Sequence, residues 1–309
     1  MKLEPDTSDI VIVIGPTAVG KSRVAVDLAL RFGGEVISGD SIQVYRGFDI
    51  GTDKPTAASR RGVRHHLIDI VGPEVQFTAA DFVREALAAA GEIASRGHLP
   101  LIAGGTGLYI KALVDGLFPG PGRDAAVRTS LEATAREEGL DSLFRRLEEV
   151  DPEYARKIRS HDRVRIIRAL EVHATTGQPM SEHFRRTESP VKGRNILRLG
   201  LRLERNALYR RIDDRVEQMF ERGLVEEVRG LLERGVAEDA PPFRALGYSH
   251  VLRLLRGEIG RDEAMASTKT DTRHYAKRQT TWFRKMGDVA WFSPDDGPAL
   301  EEYVENHLQ

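Results

Sequence analysis

Eight residues near the N-terminus, Gly15, Pro16, Thr17, Ala18, Val19, Gly20, Lys21 and Ser22, have the types and spacing needed to hold phosphate. They match the pattern G-x-x-x-x-G-K-[ST], between an apolar run (9–14) and an alternating apolar stretch (24–32). Strand, glycine-rich loop and helix in that order make the match credible. Gly15 and Gly20 permit tight turns that bring backbone N–H groups close to phosphate oxygens. The helix opening near Lys21 directs its positive end to the same place. Lys21 adds a mobile charge, and Ser22 offers a hydroxyl to a phosphate-bound magnesium. The loop specifies phosphate without specifying ATP.

Two further segments could carry chemistry. Asp40 follows an apolar run by two residues, at the level of the phosphate loop. A carboxylate there can accept a proton or orient a nucleophile, cap a turn, or bind magnesium, and position alone leaves the three readings open. Gly104-Gly105-Thr106-Gly107 also leads from a strand into a helix. It could present backbone donors and the Thr106 hydroxyl to an anion, or be a plain strand-to-helix turn. His65, His66 and His161 have no partners at metal-ligand spacing. A hydrogen-bonding role is expected for them, with His66 near enough to border the site.

The elements that must position these residues are readable from periodicity. Short apolar runs at 9–14, 35–38, 66–70 and 99–103 read as buried parallel strands, with helical patterns between them. The clearest helix covers 79–95, with Thr78 as N-cap and Asp81 completing a capping box. Such alternation predicts a doubly wound α/β sheet, in which ligands bind beyond the carboxyl ends of the strands. Breaker clusters at 116–122 and 189–193 bracket a charged helical region, and a strand at 195–203 follows. Helices then dominate 207–286, before a last strand at 289–292 and a short terminal helix. The expected architecture is a P-loop NTPase-like parallel-sheet core, discontinuous over 1–119 and 195–309. A helical insertion at 120–194 interrupts it.

The 309 residues carry 46 Lys and Arg against 47 Asp and Glu, a formal charge of −1, so no global field points to nucleic acid. Locally the balance differs. Six basic residues between Arg156 and Arg168 face one acid, Asp162, and six between Lys269 and Lys285 face only Asp271. These runs suit a polyanion contact, or are ordinary solvated helix surfaces. In the later helix, Tyr275, Gln279, Trp282 and Met286 form one row, read as packing, and His274, Arg278, Thr281 and Lys285 form a basic row. Trp282 and Phe283 are assigned to the core. In the earlier helix His161, Arg165 and Arg168 align, with Val164, Ile167 and Ala174 on an apolar side. The chain has no cysteine, which excludes disulfides, thiolate zinc sites and cysteine nucleophiles. The N-terminal residues contain no apolar signal core, and no stretch is long enough to span a bilayer. A cytoplasmic protein without a membrane partner is expected.

Six stretches in order resemble the tRNA dimethylallyltransferase family, the isopentenyl transferases that modify the adenosine just 3′ of the anticodon. They are GPTAVGKS (15–22), GDSIQVYRGFDIGTDKPT (39–56), HHLIDI (65–70), AGGTGLYIKAL (103–113), RALGY (244–248) and YAKRQTTWFRK (275–285). The resemblance spans almost the whole chain, and DSIQVY and YAKRQ-TWF distinguish it from generic phosphate-loop kinases. Asp53, where a small residue is expected, and Ser249 depart from the family pattern; neither is expected to touch the chemistry.

The resemblance implies transfer of a dimethylallyl group from dimethylallyl diphosphate to the exocyclic amine of adenine in the anticodon stem-loop of tRNA, with Mg2+ as cofactor. Asp40 matches the general base and Thr106 the loop threonine that helps hold the diphosphate or the nucleotide. The phosphate loop would hold the prenyl diphosphate, with Ser22 on magnesium and Arg211 and Arg215 within reach of the diphosphate. The stretches assigned to tRNA are Asp40, Ser41, Ile42 and Gln43; Arg128; His161, Asp162, Arg163, Val164 and Arg165; and Arg244, Ala245, Leu246, Gly247, Tyr248 and Ser249. Arg273, Lys277, Arg278 and Arg284 add phosphate contacts. A monomer is expected. A P-loop small-molecule or nucleotide kinase is the rival reading, distinguished by phosphate transfer from ATP. A non-catalytic RNA-binding module would keep RNA binding after Asp40→Ala, and a free-nucleotide prenyltransferase would accept AMP.

Overall fold

A computed structural model describes residues 9–118 and 120–308. The segment expected to lack a signal core lies largely outside the described residues. Six strands, β1 (Ile10–Ile14), β2 (Gly34–Ser38), β3 (His65–His66), β4 (Leu99–Gly104), β5 (Ile196–Leu201) and β6 (Ala290–Phe292), form one sheet in the order β3-β2-β4-β1-β5-β6. Every pairing is parallel. All five residues of β1 are fully buried, as a central strand covered on both faces requires, which is why this run is continuously apolar. The fold is the P-loop-like α/β arrangement expected from the alternation of elements.

The chain divides into two compact units, Met1–Ala112 with Gly193–Gln309, and Leu113–Lys192. Helices α1 (Lys21–Phe32), α2 (Ala57–Arg60), α3 (Ala79–Ser95) and most of α4 (Gly107–Asp115) belong to the first. The second contains α5 (Ala125–Glu137), α6 (Leu140–Val150), α7 (Pro152–Ala155), α8 (Arg163–Thr176) and α9 (Met180–Arg185). The first unit resumes with α10 (Arg205–Glu221), α11 (Leu224–Glu233), α12 (Tyr248–Leu255), α13 (Arg261–Phe283) and α14 (Gly297–His307). Thr78 and Asp81 form the expected reciprocal capping box on α3. Among the described residues, no helix is long and apolar enough to cross a membrane.

Three expectations need correction. The strand at 66–70 is only the two-residue β3. Leu67 and Asp69 take φ of 61° and 58°, which a strand cannot contain. The segment instead gives its backbone N–H groups to Gln43 and Val44, and the Asp69 carboxylate to Lys54. Trp282 is 37% exposed, whereas Phe283 is fully buried as expected. On α8, Val164 is 67% exposed and Ile166, Ile167, Ala169 and Leu170 make the buried face. One step along a helix turns a residue by about 100°, so the apolar row is shifted by a residue or two from the one read along the chain.

Candidate active site

The strand order places the loops after β1, β2 and β4 side by side at the carboxyl edge of the sheet, because β4 lies between β1 and β2. The β2 and β4 ends approach closely. Gly39 N–H donates to the Ala103 carbonyl at 2.8 Å, and a Cβ on Gly104 would lie 2.4 Å from the Gly39 oxygen. Glycine at 104 is therefore a packing requirement.

In the phosphate loop, Lys21 Nζ donates to the carbonyls of Gly15 (3.0 Å) and Pro16 (2.8 Å). Burial of this ammonium lowers its pKa to about 7, and repulsion from Arg215 adds to the shift while the Asp40 charge opposes it. Two arginines of α10 reach the same loop. Arg211 Nη1 donates to the Val19 carbonyl at 3.4 Å, and Arg215 Nη1 donates to Thr17 Oγ1 at 3.1 Å. Arg215 also pairs with Asp53 at 2.8 Å. The departure at position 53 therefore does touch the site, because the chain folds that loop back onto α10.

Asp40 accepts backbone N–H bonds at one oxygen, from Ile42 (2.8 Å) and Gln43 (3.3 Å). It caps the turn, which fixes where the carboxylate stands and engages only Oδ1. Thr106 Oγ1 accepts from the Ser41 N–H at 3.1 Å, tying the β4 loop to the β2 loop. The segment beyond Asp40 is pinned from below. Lys54, 7% exposed, holds Asp49 and Asp69, and Glu227 of α11 accepts the N–H groups of Asp49 and Ile50.

Two adjoining clefts result. One, of 360 Å³, is lined by phosphate-loop residues with Lys21, Ser22, Asp40, Arg211 and Arg215. The other, of 370 Å³, is lined by Ile42, Val216, Met219 and Leu246 together with Tyr275 and Arg278 of α13. Thr17, Asp40, Thr52 and Arg215 line both. A cationic chamber thus meets a mainly apolar one of similar size at a carboxylate.

A family model described as IPP transferase matches residues 43–286. The chain is 49% identical over 286 residues to a tRNA dimethylallyltransferase of Geotalea uraniireducens, covering 93% of this chain and 92% of that one. It is 50% identical over 282 residues to that of Geobacter sulfurreducens, covering 91% of each. The chain belongs to the IPP transferase family. Among solved structures, it is similar to the full-length tRNA isopentenylpyrophosphate transferase of Bacillus halodurans, at 40% identity, TM-score 0.73 and 97% coverage of both chains. It is also similar to a eukaryotic dimethylallyltransferase acting on tRNA, at 29% identity and TM-score 0.82, covering 97% of this chain and 77% of that one.

The residues around this cleft that the IPP transferase resemblance assigns to RNA are placed differently from one another. Ser41, Ile42, Arg244, Ala245, Leu246 and Arg278 line the second cleft with Asp40. The Gln43 amide is engaged at both ends, with Ser38 and Thr52. Tyr248 is fully buried, and its hydroxyl donates to Glu227 and accepts from the Gly51 N–H, so its side chain is a support and not a contact. Burial drives its pKa far upward, and the Glu227 charge adds to that. Gly247 is buried too, and Ser249 borders another surface hollow.

The basic runs are less free than their local charge suggested. Arg163 pairs with Glu132, Arg165 with Asp162, and Arg128 with the buried Glu171. Arg273 pairs with Asp213 of α10. A count along the chain cannot see acids supplied by neighbouring helices. Lys277, Arg278 and Arg284 have no ion-pair partner among the described residues, and Arg278 lies over the Tyr275 ring at 5.7 Å. His161 is exposed ahead of α8, whose N-cap is Asp162.

His66 does not border the site. Its Nε2 meets Glu35 at 2.6 Å, in a cluster completed by His98 and Arg96 at the start of β2. Gln279 and Tyr275, read from the sequence as packing, reach the site loops. Their spacing of four residues from one another on one helix row was the available signal.

Proposed function

We propose that this chain transfers the dimethylallyl group of dimethylallyl diphosphate to the exocyclic amine of the adenosine 3′-adjacent to the anticodon (position 37) of tRNA, releasing diphosphate. The observation that carries this reading is the pair of clefts meeting at Asp40, one cationic and one mainly apolar. Breaking the allylic C–O bond leaves its electron pair on the diphosphate. Lys21, Arg211, Arg215 and the loop N–H groups stabilise that charge. The adenine nitrogen forms the new bond to carbon, and Asp40 accepts its proton through the oxygen not engaged in the turn. Thr106 orients the loop between the two substrates.

Ser22 lines the same chamber as Asp40 and offers a hard oxygen donor of the kind magnesium takes. Magnesium bound there would neutralise diphosphate charge. Reaching a base in a stacked loop requires its extrusion, at a cost of a few kcal/mol. Arg244, Lys277, Arg278 and Arg284 supply offsetting contacts, and the helical unit at 113–192 carries the others that the resemblance assigns.

Incubation of the protein with radiolabelled dimethylallyl diphosphate, magnesium and unmodified tRNA tests the proposal, with AMP and γ-labelled ATP as alternative substrates. Label entering only tRNA supports it. Label entering AMP points to a free-nucleotide prenyltransferase, and phosphate leaving ATP without prenyl transfer points to a kinase. Asp40→Asn keeps the turn-capping oxygen and removes the base. Its turnover is expected to fall by about two orders of magnitude or more, with tRNA affinity unchanged. Near-normal turnover would remove Asp40 from the chemistry.

A further inference from the structure

We propose that Gln279 is a positioning residue of the diphosphate site, holding the phosphate loop and the Gly105 loop at a set separation from α13. The inference rests on the prenyl-diphosphate reading above. Gln279 is only 6% exposed. Its Oε1 accepts the Thr17 N–H at 2.8 Å, and its Nε2 donates to the Gly105 carbonyl at 2.8 Å. One planar amide thus spans two loops that follow β1 and β4, and it sits 262 and 174 residues from its two partners along the chain. A buried amide engaged at both ends sets the distance between its partners, since moving either leaves a buried polar group unsatisfied.

The fit around it is close. A Cβ on Gly105 would lie 2.5 Å from Gln279 Nε2 and 3.3 Å from Lys21 Nζ. One turn earlier on α13, Tyr275 lines the adjoining cleft with Thr17, Asp40 and Ser41. Gly105 is followed by Thr106, whose hydroxyl accepts the Ser41 N–H, so the loop held by Gln279 also meets the Asp40 turn. The Thr17 N–H, turned toward Gln279, holds that peptide in one orientation. Gln279 therefore acts through the loop N–H groups and Lys21, and takes no part in bond breaking or proton transfer. Losing it should loosen diphosphate binding and, because the same groups stabilise the leaving charge, lower kcat as well, with tRNA binding unaffected.

The test uses Gln279→Met, which keeps the length and removes the strong donor and acceptor. Gly105→Ala keeps the chemistry of the amide but displaces it, and presses more lightly on Lys21 Nζ. Calorimetric titration with magnesium pyrophosphate is combined with steady-state kinetics on tRNA and thermal melting. The Kd for pyrophosphate and the KM for dimethylallyl diphosphate are expected to rise about tenfold or more. kcat should fall as well, because the leaving charge is then less well stabilised, while tRNA affinity stays unchanged. The double variant should be little worse than either single one, as expected for two lesions in one contact. Wild-type pyrophosphate affinity in both variants overturns the proposal. So does a uniform loss of kcat, tRNA affinity and melting temperature, which would make Gln279 a general structural residue. If the wild-type protein fails to prenylate tRNA, the functional reading falls, and the pyrophosphate comparison still decides whether Gln279 sets the phosphate loop.

Discussion

Lys21 is expected to take up a proton when diphosphate binds. In the free protein its ammonium is enclosed against two loop carbonyls and near Arg215, which holds its pKa at about 7 instead of 10.5. A bound diphosphate supplies the opposing charge and favours the protonated form. Well below pH 7 Lys21 is charged with and without ligand, and binding leaves its proton unchanged. Above pH 7 the free protein is mostly neutral at this position and must gain a proton to bind. At pH 8 roughly 0.9 proton per site should be taken up. By pH 8.5 only about 3% of free protein carries the charge, so affinity should lie about 30-fold below its value at low pH. Calorimetry with magnesium pyrophosphate in buffers of different ionisation enthalpy reads the proton count directly. Titration of the ligand itself is removed by running Lys21→Gln in parallel, which should bind more weakly and lack the extra uptake. Arg215→Gln removes the like charge and should move the midpoint upward, while also weakening binding. Equal proton uptake by the wild type and Lys21→Gln would show that Lys21 does not take up the proton.

Two further outcomes are expected. Burial alone would raise the pKa of Glu35, but hydrogen bonds with His66, His98 and Arg96 outweigh it and bring the carboxyl down to about 2 from 4.5. Glu35→Gln should therefore destabilise the fold by about 3 kcal/mol near pH 7. The difference should fade as pH falls from 4.5 toward 2, where the native carboxylate loses its charge; denaturant unfolding between pH 3 and 7 measures it, and a gap that does not narrow refutes it. Replacing Lys277 and Arg278 on α13 and Arg284 at its end by glutamine should lower the salt slope of tRNA binding by about 2. The ion-paired Arg163 and Arg165 should contribute less, so a larger change on replacing those two would reverse the assignment.

Much of the site was legible because its parts are local. A glycine-rich loop between a buried strand and a helix carries its own geometry, since backbone N–H groups and a helix end are set within a few residues. The parallel sheet was equally legible from its apolar runs, and with it the meeting of Asp40 and Thr106 at one edge. Tertiary structure decided what depends on residues far apart in the chain. Arg163, Arg128 and Arg273 looked free until other helices brought Glu132, Glu171 and Asp213 beside them. Asp53 looked remote until its loop met Arg215. Tyr248 belonged to a motif stretch, yet packing engaged its hydroxyl with Glu227. Gln279 read as one more packed residue, because a helical period shows which face is buried and not which distant carbonyl that face will meet. Composition and spacing determine the chemistry a residue can perform; the close approach of distant segments, with the desolvation and pairing it imposes, determines whether its charge and hydrogen bonds remain available to perform it.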